Sequence, residues 1–400
     1  MTLLANRLTR ISPSPTLAMS ARAAELKAQG QNIINLSTGE PDFDTPDHIK
    51  QAAIEAMQKG LTKYTLVEGT LALRKAIQDK FLQDNNLTYG VDQITVGNGA
   101  KQVIFNALLA TVNEGDEVII PAPYWVSYPD MVHVCGGTPI IVHCTETDHF
   151  KLTATALEAA ITPKTKWLIL NSPSNPTGRV YLADELKSLA EVLERHPHVY
   201  VICDDIYEYL MFDELPFTSL GTVARGLVER ILTVNGVSKS YAMTGWRIGY
   251  GAGPKILIKA MSMLQSHSTS NACSISQSAA TKALTSSRDF IKDWVQIFQD
   301  RRDMALKIIN DTPGLSCAKP EGAFYLYISC AGIIGKTTPQ GKKIATDNDF
   351  ALYLLEEAGV ASVSGDAFGL SPYFRISYAL DTELLKQGCL SIQKAVQELH

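Results

Sequence analysis

One lysine, Lys239, stands between hydroxyl side chains in the run Ser238-Lys-Ser-Tyr-Ala-Met-Thr-Gly-Trp-Arg-Ile-Gly-Tyr250, just after the apolar segment Ile231-Leu-Thr-Val234. A lysine amine can form an imine with an aldehyde cofactor, whose ring then withdraws electrons from a substrate carbon; no side chain does this alone. Ser238 offers a hydroxyl and Arg247 a fixed fork of donors suited to a phosphate. The arrangement therefore suggests pyridoxal phosphate (PLP), with Lys239 at its aldehyde carbon. The competing reading is a surface lysine in a glycine-rich loop.

Two further loops carry chemistry. Asn171-Ser-Pro-Ser-Asn-Pro-Thr-Gly178 sets two prolines and two asparagines after an apolar run, a rigid construction that would aim Asn175 at a ligand unless it is an ordinary turn. Cys203-Asp-Asp-Ile-Tyr207 ends another apolar run, and a carboxylate there must have a partner or face a cleft. A pyridinium nitrogen would be such a partner.

Positioning these loops requires elements that end where they begin. Asp47 to Gly60 reads as a helix, with an apolar stripe, an acidic start and a glycine stop. Strand-like runs at 94–96, 117–120, 167–170, 199–202 and 231–234, with Gly236 as the turn after the last, alternate with helical stripes beginning near Ala100 and at Leu182. Such alternation predicts a mostly parallel sheet covered by helices, with ligands beyond the carboxyl ends of the strands. Gly97 to Lys101, Asn171 to Gly178, Asp204 to Tyr207 and Val237 to Lys239 all fall there. After Arg288 come a long helical stretch, an apolar run at 323–328, a helix near Phe350, a strand holding Arg375 and a final helix, which together read as a smaller α/β lobe. The expected division is a large domain over 47–287 and a small domain formed by 1–46 and 288–400. Lys336 to Lys343 reads as an exposed loop.

Four hundred residues exceed what one core organises, and 46% apolar with 19% charged residues describes a folded chain. The net charge of −5 is spread through the sequence, which argues against nucleic-acid or polybasic membrane binding. Seven scattered cysteines without a Cys-x-x-Cys pair argue against a disulfide framework or zinc ribbon and fit a reducing, cytoplasmic compartment. Met1 to Ser14, which lacks acidic residues, remains open as a short transit segment.

Taken together, Asn-x-Pro-x-Asn-Pro-Thr-Gly, Asp-x-x-Tyr, Ser-Lys-x5-Gly-x-Arg-x-Gly and the late Phe-Arg-Ile-Ser-Tyr around Arg375 resemble, in order and spacing, the fold-type-I PLP-dependent aminotransferases over nearly the whole chain. Pro-Ser-Pro-Thr-Leu near residue 15, Gly-Ala-Lys-Gln at 99–102 and Pro-Tyr-Trp-Val-Ser-Tyr-Pro at 123–129 look like the prokaryotic-type aspartate aminotransferase branch. The resemblance implies a seven-stranded, mostly parallel sheet between helices. It makes Lys239 both the Schiff-base lysine and the acid–base catalyst, pairs Asp204 with the ring nitrogen, and brings Tyr207 and Asn175 to the ring oxygen. Trp125 would stack on the ring or touch the substrate carboxylate; a core aromatic is the alternative. The phosphate cradle would comprise the Gly99, Ala100 and Lys101 amides with Ser238 and Arg247, completed by Tyr64 from the neighbouring subunit of a homodimer.

The same resemblance gives Arg375 the substrate α-carboxylate and Gly39 a place in a mobile segment closing over the substrate, against a simple turn. Lys101, assisted by Thr16, would take a distal carboxylate, against a solvated helix-start lysine. The implied reaction is L-aspartate plus 2-oxoglutarate giving oxaloacetate plus L-glutamate, ping-pong through the pyridoxamine form. Members that accept prephenate look to have lysine where this chain has Ser12, which lowers that expectation. An aromatic-substrate aminotransferase, a PLP-dependent lyase or racemase, and a PLP-dependent regulator are the other readings. A nucleotide-binding loop at Gly332 to Thr337 fails, because Cys330 stands where a phosphate loop needs glycine.

Overall fold

The computed structural model describes residues 3–400; Met1 and Thr2, the start of the candidate transit segment, lie outside them. The central sheet has seven strands: β2 (Ile94–Asn98), β3 (Glu117–Ala122), β4 (Thr138–His143), β5 (Thr165–Asn171), β6 (Tyr200–Asp204), β7 (Ile231–Gly236) and β8 (Ile248–Ala252), after a short β1 (Ile34–Asn35). Their spatial order is β2-β8-β7-β6-β5-β3-β4, and only β8 runs antiparallel to its neighbours. Gly236, expected as a turn, instead pairs with Gly249 inside the ladder.

Alternation along the strands builds two cores from one sheet. Trp167, Ile169 and Ile202 face helices Ala100–Thr111 and Lys255–Ser266, whereas Leu168, Leu170, Val201 and Cys203 face helix Ala183–Arg195. Burial of both faces explains why β5, β6 and β7 read as continuous apolar runs. Beyond the sheet, helix Asp289–Asn310 leads to β9 (Tyr325–Ser329), helix Asp347–Glu356, β10 (Val360–Ala361), β11 (Val363–Ser364), β12 (Tyr373–Ser377) and helix Thr382–Gln397. β9, β11 and β12 form an antiparallel sheet, and β1 pairs with β10 in parallel. Helix Pro15–Ala28 packs there too, through Ala23 and Leu26 against Leu355 and Ala361. Among the described residues, no helix is long and apolar enough to cross a membrane.

Candidate active site

The carboxyl ends of β2, β5, β6 and β7 open onto a cavity of about 380 Å³, closed on the other side by residues 38–40, Tyr325 and Arg375. Lys239, three residues past β7, is half-buried, and its Nζ donates to the Gly39 carbonyl at 2.6 Å. Burial pushes this amine down to about 8; Arg375 and Arg247 act the same way, while Glu40 and Asp204 oppose them. A lysine so placed reaches its nucleophilic free base near neutral pH.

Asp204 ends β6 with its side chain buried. Its Oδ2 accepts from the Tyr128 hydroxyl at 2.7 Å, and burial pushes its carboxyl up to about 6 despite that bond, the Ile206 amide and the charge on Lys239. The Tyr207 hydroxyl lies 2.8 Å from that of Tyr325. Asn171 ties the neighbouring loop down, donating to the Asp204 carbonyl at 2.8 Å while its Oδ1 accepts from the Asn175 amide at 2.8 Å.

Arg375 projects from β12 into a buried position. One terminal nitrogen donates to Asn175 Oδ1 and the other to the Ser37 carbonyl, both at 2.7 Å; its Nε has no partner among the described residues. The guanidinium lies between the rings of Tyr325 and Phe368, at 4.5 and 4.9 Å from their centroids. Its donors are thus desolvated and oriented, as recognition of a carboxylate requires.

An anion cradle stands at the start of helix Ala100–Thr111, whose leading amides, those of Ala100 and Lys101, precede the helical ladder; the next, that of Gln102, already donates to the Gly99 carbonyl at 3.1 Å. Gly99 has φ +82° and abuts Arg247, so a Cβ there would overlap Nη2 and come within 3.0 Å of Cζ. Gly249 abuts the helix start itself; its Cβ would strike the Ala100 backbone. Arg247 donates to the Thr244 and Asn98 carbonyls at 2.8 and 3.2 Å, and Ser238 is buried beside the same cavity. The two glycines bring amides, guanidinium and hydroxyl together at one end of the cavity. Lys239, Asp204 and Tyr207 line its interior, a donor set that fits a phosphorylated pyridine aldehyde.

Trp125 is half-buried and lines the cavity, with its ring edge-on to Tyr128 at 5.3 Å, and Lys101 Nζ sits 4.7 Å from its centroid. Thr16 lines the mouth, whereas Ser12 is exposed and lies outside the cavity lining. Gly39 lies in irregular chain just before a bend at Glu40, and it is glycine for lack of room: a Cβ would overlap the Tyr325 hydroxyl. Tyr64, 91% exposed, is not brought to this cavity. Tyr128, Tyr325, Asn171 and Glu40 also line the cavity; Asn171 and Tyr128 fall within motifs the sequence offered, but none of the four had been given a role.

A family model described as aminotransferase class I and II matches residues 31–392. The chain is 56% identical over 395 residues to the probable aspartate/prephenate aminotransferase of Rickettsia felis, covering 99% of this chain and 97% of that one. It is 53% identical over 395 residues to the aspartate aminotransferase of Rhizobium meliloti, covering 99% and 96%. A crystal structure of the Rhizobium meliloti enzyme superposes with a TM-score of 0.97 at 52% identity, covering 100% of both chains. The Thermus thermophilus aspartate aminotransferase with maleate gives a TM-score of 0.92 at 40% identity, covering 99% of this chain and 100% of that one. With a cradle, lysine and buried carboxyl that fit the cofactor of such enzymes, and relatives matched from end to end, this chain belongs to the class I and II aminotransferases, which use pyridoxal 5′-phosphate.

Proposed function

We propose that this protein transfers the amino group of L-aspartate to 2-oxoglutarate. The observation that carries the reading is the desolvated Lys239 amine, brought down to about 8, in one cavity with the Arg375–Asn175 clamp and the Asp204 carboxyl. Bound there, PLP supplies an aldehyde for the amino group and a ring that draws electrons from the substrate α-carbon.

The chain's own residues do the rest. Lys239 Nζ would hold the cofactor at its aldehyde carbon and would carry the proton removed from the substrate α-carbon. Asp204 sets a negative charge against the ring nitrogen and keeps it protonated, while Tyr207 and Asn175 hold the ring oxygen. Ser238, Arg247 and the amides of Gly99, Ala100 and Lys101 take the phosphate, and Trp125 covers the ring. Arg375 grips the α-carboxylate, Lys101 with Thr16 meets the distal one, and Gly39 lets residues 37–40 close over the substrate. The maleate complex of the Thermus enzyme supports a dicarboxylate substrate.

Two copies would share the site, with Tyr64 reaching a neighbour's phosphate; its exposure beside exposed Leu61 and Leu66 supports a homodimer. The pairing of β1 with β10 supports a small domain of 1–46 and 288–400 against a large one of 47–287. Interspersed charge and unpaired cysteines support a cytoplasmic enzyme. Relatives named aspartate/prephenate aminotransferase favour prephenate as a second acceptor, despite serine at position 12.

The test is an amine-acceptor screen with purified holoenzyme, combined with borohydride trapping and peptide mapping of Lys239. Glutamate should form from aspartate only when 2-oxoglutarate is present, and more slowly from alanine. Release of ammonia, or of more than one equivalent of 2-oxo acid per site without any acceptor, or an unlabelled Lys239, would overturn the proposal.

A further inference from the structure

Two phenols meet beneath the cavity. Tyr207 follows β6 and Tyr325 opens β9; both are buried, with rings 5.9 Å apart and nearly perpendicular. Among the described residues, the 2.8 Å contact between their hydroxyls is the only hydrogen bond either one makes. A phenol has one donor proton and two acceptor lone pairs. While the pair is isolated, either oxygen can donate. Once Tyr207 spends its proton on the ring oxygen of the cofactor, as proposed above, the bond between the phenols can run only from Tyr325 to Tyr207.

We infer that Tyr325 is a positioning residue for transamination: by donating to the Tyr207 oxygen it turns the Tyr207 proton toward the cavity and strengthens its donation to the ring oxygen. The inference rests on the Tyr207 role proposed above. The Tyr325 hydroxyl is itself fixed, with Gly39 packed so closely that a Cβ would overlap it, and the Arg375 guanidinium 4.5 Å from the ring centroid. Burial holds both phenols above their ordinary range, so both keep their protons at neutral pH. Consecutive hydrogen bonds polarise one another by about 10–30% per bond. A stronger donor favours the deprotonated ring oxygen and so lowers the pH at which the bound cofactor's visible absorbance titrates.

Phenylalanine at 325 would keep the ring against Arg375 and Gly39 and delete only the donor. The charged groups around the pair and cavity, Lys239, Asp204, Arg375, Arg247 and Glu40, stay the same. The experiment is a spectrophotometric pH titration of the PLP holoenzymes of the native chain, Tyr325→Phe, Tyr207→Phe and the double variant, alongside melting temperatures and aspartate kinetics. Tyr207→Phe should raise the midpoint by about one unit or more, and Tyr325→Phe by a few tenths of a unit. The double variant should match Tyr207→Phe. KM for aspartate should change less than about twofold in Tyr325→Phe, because the ring over Arg375 remains. An unmoved midpoint in Tyr325→Phe, or the same shift whether or not Tyr207 is present, overturns the inference while leaving the Tyr207 role standing. An unmoved midpoint in Tyr207→Phe overturns that role, and the inference with it.

Discussion

Gly39→Ala is the sharpest perturbation of the substrate end of the cavity. The added Cβ would overlap the Tyr325 hydroxyl, while the ring atoms Cζ and Cε1 stand at 3.4 and 3.5 Å, ordinary contact distances. Either the 37–40 segment or Tyr325 must move, and overpacking of this kind costs about 1–3 kcal/mol. Moving the segment also breaks the 2.6 Å bond from Lys239 to the Gly39 carbonyl and the 2.7 Å bond from Arg375 to the Ser37 carbonyl. At 1.36 kcal/mol per tenfold, kcat/KM for aspartate should fall about five- to 150-fold. The overlap is with one oxygen only, so adding Tyr325→Phe should restore much of the loss, although Tyr325→Phe alone is mildly harmful. Steady-state kinetics on the four proteins at saturating PLP, with melting temperatures as a check on folding, supply the assay. Native kcat/KM in Gly39→Ala, or a double variant worse than either single one, would refute the steric reasoning.

Tyr128→Phe removes a hydrogen bond that lowers the Asp204 pKa, so the carboxyl should rise further above about 6 and the acid limb of the kcat/KM profile should move up by about one unit; an unmoved limb would deny Asp204 its ionised role. Lys101→Ala should raise KM for aspartate about tenfold or more and leave alanine nearly unaffected; equal losses for both would remove the distal-carboxylate role. In Gly249→Ala the new Cβ would strike the Ala100 backbone, which cannot yield as a side-chain tip can, so PLP affinity should drop at least about tenfold together with melting temperature. Native PLP affinity, measured by fluorescence titration of the apoprotein, would show that the helix start is not the phosphate site.

The parts legible in the sequence are those that local rules determine. β5, β6 and β7 are buried on both faces and therefore read as apolar runs, and each delivers its loop at a carboxyl end. β4 was not legible: it is a half-exposed edge strand with Pro139 in it. β8, Ile-Gly-Tyr-Gly-Ala, escapes for another reason, since glycine weakens strand signals and is present here to admit the helix start at Ala100. Gly236 misled in the same way. Within the site, Lys239 and Asp204 announced themselves by charge next to apolar runs, whereas Arg375 stood out only through the family resemblance. Tyr128 and Tyr325 did not, because a tyrosine among apolar residues looks like core until a partner 76 or 118 positions away is brought to its hydroxyl.

The tandem Asp204-Asp205 shows how packing divides labour that sequence leaves ambiguous. The strand pleat sends the two carboxyls to opposite faces, Asp204 to Tyr128 and the cavity, Asp205 to Ser219 beneath the sheet at 2.8 Å. Burial raises both, but Asp204 is drawn back to about 6 by Tyr128, the Ile206 amide and Lys239, whereas Asp205 goes to about 8, with the nearby Glu208 charge adding to burial against Ser219 and Lys80. Between those values, one carboxyl is charged and faces the cavity while the other holds its proton in the core, so the pair presents a single negative charge instead of two in repulsion. Asn at 205 therefore replaces a group that is already neutral and should leave kcat/KM within about twofold, whereas Asp204→Asn should cut it about a hundredfold or more. The sign of the stability effect follows. A folded pKa raised from 3.8 to about 8 gives a stabilising contribution that is full below the lower value and lost as pH rises through the upper one. The melting temperature of Asp205→Asn relative to native should accordingly be higher at pH 8.5 than at pH 5. A relative melting temperature independent of pH, or equal losses of activity in the two variants, would mean that the charge is not divided in this way.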